Sequence, residues 1–415
     1  MTEILIKGGT LIDPAQGIHD VRDVAITNGK IEQIGHNLST AGVSEVIDAS
    51  GKIVTPGLID LHAHVYRGHN HRDPDDISGI AAGVTTLVDA GGAAPDDIET
   101  FKELIASKAK TTVYSFLGSF SRQSAAWEEL ATDRIPAIAA ANPGLVKGVK
   151  IHSMPVVNGI HGLDHLKAAK EAAVKAGLPL MLHIGDIGYR DLPKTTTDTT
   201  AQALNILGKG DIVTHLFSPL TGSATDDNLL VLPALQAARS RGVYMDSAIG
   251  DYQFGWQTAE AIVAQGFLPD TIATDMEIHS QMGRSDDPMV TDRRVTGVRV
   301  VSERTLVEYM AMFLKLGISL NDIIRMATQT PAQVLNINDS AGSLKPGMPA
   351  DVSVLDMIEG RFKLTDATGE SRIGTQAIVP VVTVKGGVVY PAGTGAHAWG
   401  FSPPPATEAE MAMLG

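Results

Sequence analysis

Two histidines separated by one residue are the first feature of this sequence that could hold a metal ion. His62 and His64 flank Ala63 at the end of an apolar run. Residues two positions apart in a β-strand point to the same face, so the two imidazoles are predicted to point together. Neutral imidazole is a common ligand of divalent metals. The pair alone is a weak signal, because paired histidines are also common on protein surfaces.

Three further polar residues end strand-like runs elsewhere in the chain. They are His183, His215 and Asp275, and each directly follows a short run rich in apolar residues. A single histidine in such a place is more often a buried core residue than a ligand. Four histidines and one aspartate, all at predicted strand ends, together predict a shared metal site.

Lys150 is the predicted bridge between two metal ions. In the run 146–151, alternation places Gly148 and Lys150 on one face, and Val149 and Ile151 on the other. The apolar pair should pack on helices, so Lys150 should point inward. Two cations would repel a free ammonium there, whereas CO2 converts the amine into an anionic carboxylate that can bridge them. The alternatives are Lys147, whose parity turns it outward, and an unmodified Lys150 in an interior ion pair.

The elements that must position these residues repeat along the middle of the chain. Strand-like runs alternate with helix-like stretches, which is typical of a (β/α)8 TIM barrel with catalytic groups at the C-terminal strand ends. A doubly wound open sheet is the alternative. The eight runs begin near Val54, Thr85, Thr112, Val146, Leu178, Ile212, Val243 and Thr271.

Both ends of the sequence differ from the middle in predicted secondary structure. Short strand-like runs without intervening helices occupy each end, and Asn28-Gly29 is a strong hairpin signal. We therefore predict a small β-sandwich domain built from residues 1–53 and 340–395, and an α/β barrel over 54–339. Residues 396–415 are predicted to form a loosely held tail.

Composition excludes several classes of function. A net charge of −14 opposes binding to nucleic acid or to anionic membranes. The chain has no cysteine, so a metal must be held by histidine, carboxylate or an unusual ligand. No apolar run approaches the roughly 18 residues that span a bilayer, and no signal peptide is visible. We expect a cytoplasmic enzyme with a small-molecule substrate; the sequence leaves a homo-oligomer open.

With these residues, the sequence resembles the amidohydrolase superfamily, in particular its dinuclear dihydroorotase-like and deacetylase-like branch. The resemblance implies that His62, His64 and Asp275 bind the more buried of two metal ions, and that His183 and His215 bind the more exposed one. Carboxylated Lys150 and a hydroxide would lie between the ions. Zinc is expected, although these ligands also accept manganese or cobalt. The matching segments are 54–64, 83–86, 149–150, 183, 215, 273–275, 330–332 and 342–351.

The predicted reaction is hydrolysis of an amide or ester by the metal-bridging hydroxide. Asp275 would take the proton of the hydroxide and pass it to the leaving group. Tyr66 is a candidate donor to the oxyanion or an ordinary packing residue. Arg67 and Arg122 are candidate contacts for a substrate carboxylate or ordinary surface residues.

The sequence is compatible with three alternative functions. The deacetylase-like interpretation favours N-acyl amino acids or acetylated hydroxy acids as substrates. A cyclic amidase of the dihydroorotase or hydantoinase type is the second. The third is a non-catalytic barrel scaffold, which should have lost metal ligands, yet all six candidates are present.

Overall fold

Two β-sheets organise the part of the chain that the computed structural model describes, which is residues 2–67, 70–71, 73–75, 78–120, 130–152, 161–185, 195–250, 252–276 and 305–392. Residues 393–415, which include the predicted tail, lie outside it. No described helix is long and apolar enough to cross a membrane.

The first sheet combines strands from both ends of the chain. It has eight strands in the order β17-β16-β15-β5-β1-β2-β3, with β4 paired to β1. Asn28 and Gly29 both have positive φ values, 50° and 69°, and join two antiparallel strands as the predicted hairpin turn. The strands are β1 (Ile4–Asp13), β2 (Ile18–Thr27), β3 (Lys30–Gly35), β4 (Glu45–Asp48), β5 (Ile53–Pro56), β15 (Val352–Thr365), β16 (Ser371–Lys385) and β17 (Val388–Pro391).

The second sheet is parallel, has seven strands and is curled. Its order is β14-β13-β12-β11-β10-β9-β6. Its strands are β6 (Leu58–Ala63), β9 (Val84–Ala90), β10 (Thr112–Gly118), β11 (Val146–His152), β12 (Leu180–His183), β13 (Ile212–Thr214) and β14 (Tyr244–Asp246). Two short strands, β7 (Tyr66–Arg67) and β8 (Asn70–His71), pair separately.

Two details of this sheet differ from the prediction. The run beginning near Val54 is divided at Gly57: β5 pairs with β1 and β15, and the parallel sheet starts at Leu58. A Cβ at Gly57 would overlap the side chain of Thr85, so the close approach requires glycine. The predicted eighth strand is not a regular one. Segment 271–276 instead makes isolated parallel bridges, Asp246↔Thr271 and Ala63↔Met276, to the two edge strands.

Helices connect the parallel strands, as the alternating pattern predicts. They are α1 (Ile98–Phe101) with a π-helical continuation (Lys102–Ala106), α2 (Ile135–Ala141), α3 (Asp164–Ala176), α4 (Thr197–Leu204), α5 (Pro233–Ser240) and α6 (Trp256–Ala264). A short 3-10 helix (Ile80–Ala82) precedes β9. After the sheet come α7 (Leu306–Lys315), α8 (Leu320–Ala327) and α9 (Gln329–Val334). A capping box of Thr305 and Glu308 begins α7.

Strand alternation sorts side chains between two apolar clusters. Leu182 and Val213 belong to the large cluster shared with the helices. Met181 and Ile212 belong to a second buried cluster. His183, two positions beyond Met181, therefore faces the same way as Met181 and away from Leu182 and the large cluster.

Candidate metal centre

Four histidines meet at the C-terminal ends of the parallel strands. The ring centroids of His62 and His64 lie 5.3 Å apart, and those of His62 and His215 lie 5.1 Å apart. The rings of His183 and His215 are 4.1 Å apart. These residues lie on or just after β6, β12 and β13. The structure thus brings together the histidines that the sequence singled out.

Asp275 lies among these rings. Its Oδ1 atom is 3.0 Å from Nε2 of His64 and 3.1 Å from Nε2 of His62. Its backbone N–H donates to the carbonyl of His62 at 2.7 Å, which ties segment 271–276 to β6. Asp275 has φ 50° and His215 has φ 75°. Left-handed backbone is unusual for residues with a side chain and clusters at functional sites.

Lys150 completes the group and is fully buried. Its Nζ atom lies 2.7 Å from Nε2 of His62. Val149 and Ile151 pack in the large apolar cluster, as alternation predicts. Lys147 takes a different direction, and its Nζ lies 5.2 Å from the centroid of the Tyr114 ring.

His215 has the protonation pattern of a metal ligand. Its Nδ1 is 2.8 Å from the carbonyl oxygen of Ala248. A carbonyl only accepts, so Nδ1 carries the proton and Nε2 keeps its lone pair. That Nε2 is buried and has no hydrogen-bond partner in the described part of the chain. A buried acceptor without a partner is costly, and a metal ion would satisfy it.

The donor atoms also have suitable spacing. One ligand atom from each of His62, His215 and Asp275 lies within 4.8 Å of the others. Two ligands on a tetrahedral zinc ion are about 3.3 Å apart, given bond lengths of about 2.0–2.1 Å. The 3.1 Å between His62 Nε2 and Asp275 Oδ1 is close to that value. The residues therefore fit a divalent metal ion.

Burial and nearby charges favour the protonation states in which three of these groups bind metal, namely neutral imidazole for histidine and ionised carboxylate for aspartate. Burial, together with the nearby Lys150 ammonium, lowers the pKa of His183 to about 3. Burial and His183 lower the pKa of His215 well below its ordinary value. Burial acts to raise the pKa of Asp275, but His62 and His215 outweigh it and hold that pKa well below its usual range. Two neutral imidazoles and a carboxylate result.

His62 behaves differently from the other two rings. Burial and the Lys150 ammonium act to lower the pKa of His62, but the carboxylates of Asp275 and Asp246 outweigh them, and the net direction of the pKa shift is upward. A metal ion at this ring would therefore compete with a proton for Nε2.

Comparison with known proteins places these residues in a family. The amidohydrolase family model matches residues 53–390, most of the chain. The chain belongs to the amidohydrolase family. Amidohydrolases are metal-dependent hydrolytic enzymes, so the cluster of histidines is a candidate for the metal centre of such an enzyme.

Three individual proteins are similar to this chain over most of their length. A deacetylase of Agrobacterium fabrum is 29% identical over 358 residues, which cover 83% of this chain and 80% of the relative. A dihydroorotase crystal structure has a TM-score of 0.78 at 27% identity, covering 94% of this chain and 98% of that one. An adenine deaminase crystal structure has a TM-score of 0.79 at 26% identity, covering 94% and 100%.

Asp60 is a buried residue of this amidohydrolase that sequence reasoning missed. Its carboxylate accepts hydrogen bonds from Thr274 Oγ1 at 2.6 Å, from the Thr274 N–H at 3.1 Å and from the His62 N–H at 3.1 Å. Burial raises the pKa of Asp60 to about 6, despite these donors. Asp60 therefore joins the strand of His62 to the segment of Asp275. Its parity with His62 within an apolar run was the available signal.

Of the three predicted substrate contacts, the structure describes the side chain of Tyr66 alone. Tyr66 is 1% exposed, and its ring packs edge-on against Phe101 at 5.4 Å, which favours packing over contact with a substrate. The side chain of Arg67 and the whole of Arg122 lie outside the described residues, so both stay predictions.

Proposed function

We propose that this amidohydrolase holds two zinc ions and hydrolyses the acyl bond of small N-acyl or O-acetyl substrates. The observation that carries the proposal is the convergence of four histidines, Lys150 and Asp275 around buried donor atoms. Among these atoms is the Nε2 of His215, which has no partner in the described structure.

The proposed ligand sets are those that the resemblance to the amidohydrolase superfamily implies. His62 and His64 share the Oδ1 atom of Asp275 at 3.1 and 3.0 Å, so these three residues would hold one ion. His183 and His215, whose rings are 4.1 Å apart, would hold the other. Lys150, carboxylated by CO2, would join the two sets. An anionic bridge removes the repulsion that an ammonium would meet beside two cations.

Asp275 is the proposed proton shuttle. When bound, divalent metal ions would supply Lewis acidity that activates water and polarises the scissile carbonyl. Asp275 is held as a carboxylate beside His62 and His64, which suits it to accept the proton of the attacking water. It would then return that proton to the departing amine or alkoxide.

Deacylation is the preferred reaction because of the similar proteins. The Agrobacterium deacetylase aligns over most of both chains. The dihydroorotase structure supports cyclic amide hydrolysis as the second candidate. Initial rates on N-acetyl amino acids and acetyl esters, compared with dihydroorotate and hydantoin, test the choice. Turnover of only the cyclic amides would contradict deacylation, and turnover of neither class by zinc-loaded protein would favour the scaffold alternative.

The proposed architecture is a closed (β/α)8 barrel over residues 54–339. Its support is the pair of parallel bridges by which segment 271–276 contacts both edge strands of the seven-stranded sheet. The mixed sheet made from β1–β5 and β15–β17 supports a second, small β-sandwich domain over 1–53 and 340–395.

A further inference from the structure

A buried chain of hydrogen bonds lies behind His62, on the side away from Asp275. Nδ1 of His62 is 3.0 Å from Oγ1 of Thr214. That hydroxyl donates to Oδ2 of Asp246 at 2.7 Å, and Thr271 Oγ1 donates to Oδ1 of the same carboxylate at 2.7 Å. All four residues have 0% exposure, so water does not compete for these bonds.

The architecture places these side chains at one level of the parallel sheet. Thr214 pairs with Asp246 across β13 and β14, and Asp246 bridges to Thr271 in the next segment. His62 comes from β6, at the opposite edge of the seven-stranded order. The chain of bonds therefore spans the site instead of following one strand.

The direction of each bond follows from the number of available protons. A hydroxyl has one proton, and Thr214 donates its own to Asp246. Thr214 can then only accept from His62, so the proton of a neutral His62 ring lies on Nδ1. Nε2 keeps its lone pair, and Nε2 is the nitrogen that faces Asp275 at 3.1 Å and Lys150 at 2.7 Å.

We propose that Thr214 and Asp246 are positioning residues that fix the Nδ1–H tautomer of His62 and so reserve its Nε2 for a metal ion. The Thr214 hydroxyl links His62 Nδ1 to the carboxylate of Asp246 through two hydrogen bonds. Oδ2 of Asp246 is itself 3.5 Å from Nδ1 of His62. A carboxylate acting on the far nitrogen of a histidine orients the ring and makes it a better ligand. The inference rests on the proposed metal site.

Three variants test the proposal by zinc affinity, measured by competition with a chromophoric chelator. Thr214→Val keeps the shape of the side chain and removes the hydroxyl. Thr214→Ser keeps the hydroxyl and is the rescue variant. Thr271→Val is the matched control, because Thr271 donates to the same carboxylate without contacting His62 Nδ1 through its hydroxyl. Circular dichroism and thermal unfolding check that each variant is folded.

We expect Thr214→Val to weaken zinc binding roughly 10–100-fold, the usual effect of removing an outer hydrogen-bond partner of a ligand. Thr214→Ser should restore most of the affinity, and Thr271→Val should leave it unchanged. Equal affinity of Thr214→Val and wild type, or equal losses in both valine variants, would overturn the proposal. If wild-type protein binds no zinc, the proposed metal site itself is wrong, which is a different outcome.

Discussion

Nζ of Lys150 lies 2.7 Å from Nε2 of His62, inside a fully buried group of charged and polar side chains. An ammonium at this position would oppose any cation bound to the same imidazole. The proposed carboxylation would change the sign of that interaction and would provide two oxygen ligands. Metal binding at His62 is therefore expected to depend on the chemical state of Lys150.

Replacing Lys150 with alanine should lower the metal content strongly, because the proposed bridging anion is lost. Short carboxylic acids such as acetate or propionate should restore part of the activity by occupying the vacated space. Metal analysis and hydrolysis rates with and without added acid measure both effects. The control is Lys147→Ala, on the same strand but with its Nζ over the Tyr114 ring, which should keep both metal and activity.

Asp275→Asn should keep the fold and most of the metal but reduce turnover roughly 10²–10⁴-fold, the usual contribution of a general acid–base group. Asparagine tolerates the left-handed backbone of this position, where φ is 50°. The measurement is kcat on an N-acetyl substrate alongside metal stoichiometry. Near-normal kcat with two metal ions bound would refute the assignment of Asp275 as the shuttle.

Gly250→Ala should impair catalysis by displacing Asp275. Gly250 has φ 52°, and a Cβ there would overlap Oδ2 of Asp275. Gly266 is a matched control, since it has φ 72° and no atom lies within 4 Å of the place that its Cβ would take. Both alanine variants should lose about 1–2 kcal/mol of stability from the left-handed backbone. Only Gly250→Ala should lose activity; equal activity in the two would contradict the close packing on Asp275.

Asp23 should make stability depend on pH. Burial acts to raise its pKa, but hydrogen bonds from the N–H groups of Gly8 and Leu38, with the Lys7 ammonium, outweigh it and lower the pKa. A depressed folded-state pKa contributes stability above the unfolded value, and that stability is lost as pH falls through the folded value. Asp23→Asn should therefore cost about 1–3 kcal/mol at neutral pH.

The cost of Asp23→Asn should shrink as the pH falls below about 3.9, the ordinary value for aspartate. Urea unfolding midpoints at several pH values measure it, with Asp227→Asn at an exposed position as the control. A pH-independent difference between Asp23→Asn and wild type would show that charge is not the cause.

The convergence of the six candidate metal ligands was predictable because strand alternation and strand ends are local properties of the sequence. His62 and Lys150, for example, each follow from period-two patterning within one short run. The outer contacts were not predictable in this way. Thr214 reaches His62, 152 positions earlier in the chain, only because β6 and β13 have a particular register in three dimensions.

Dependence on contacts between distant segments also explains why the first and eighth predicted strands differ from the observed ones. Pro56-Gly57 is a turn-type dipeptide and marks a break in the run beginning near Val54. The assignment of the two halves to different sheets was not predictable, because it depends on contact with Thr85 and on pairing with β15. Segment 271–276 has the composition of a strand. It forms one isolated bridge to β14 and one to β6, and the hydroxyls of Thr271 and Thr274 donate to the buried carboxylates of Asp246 and Asp60.

Anomalous X-ray diffraction at the zinc edge, from crystals of zinc-loaded protein grown with bicarbonate, tests the central claim most directly. We predict two peaks, one bounded by His62, His64 and Asp275 and the other by His183 and His215, with continuous density from Lys150 Nζ to a carboxylate between them. A bare Lys150 amine with no zinc at these histidines would contradict the proposed metal centre.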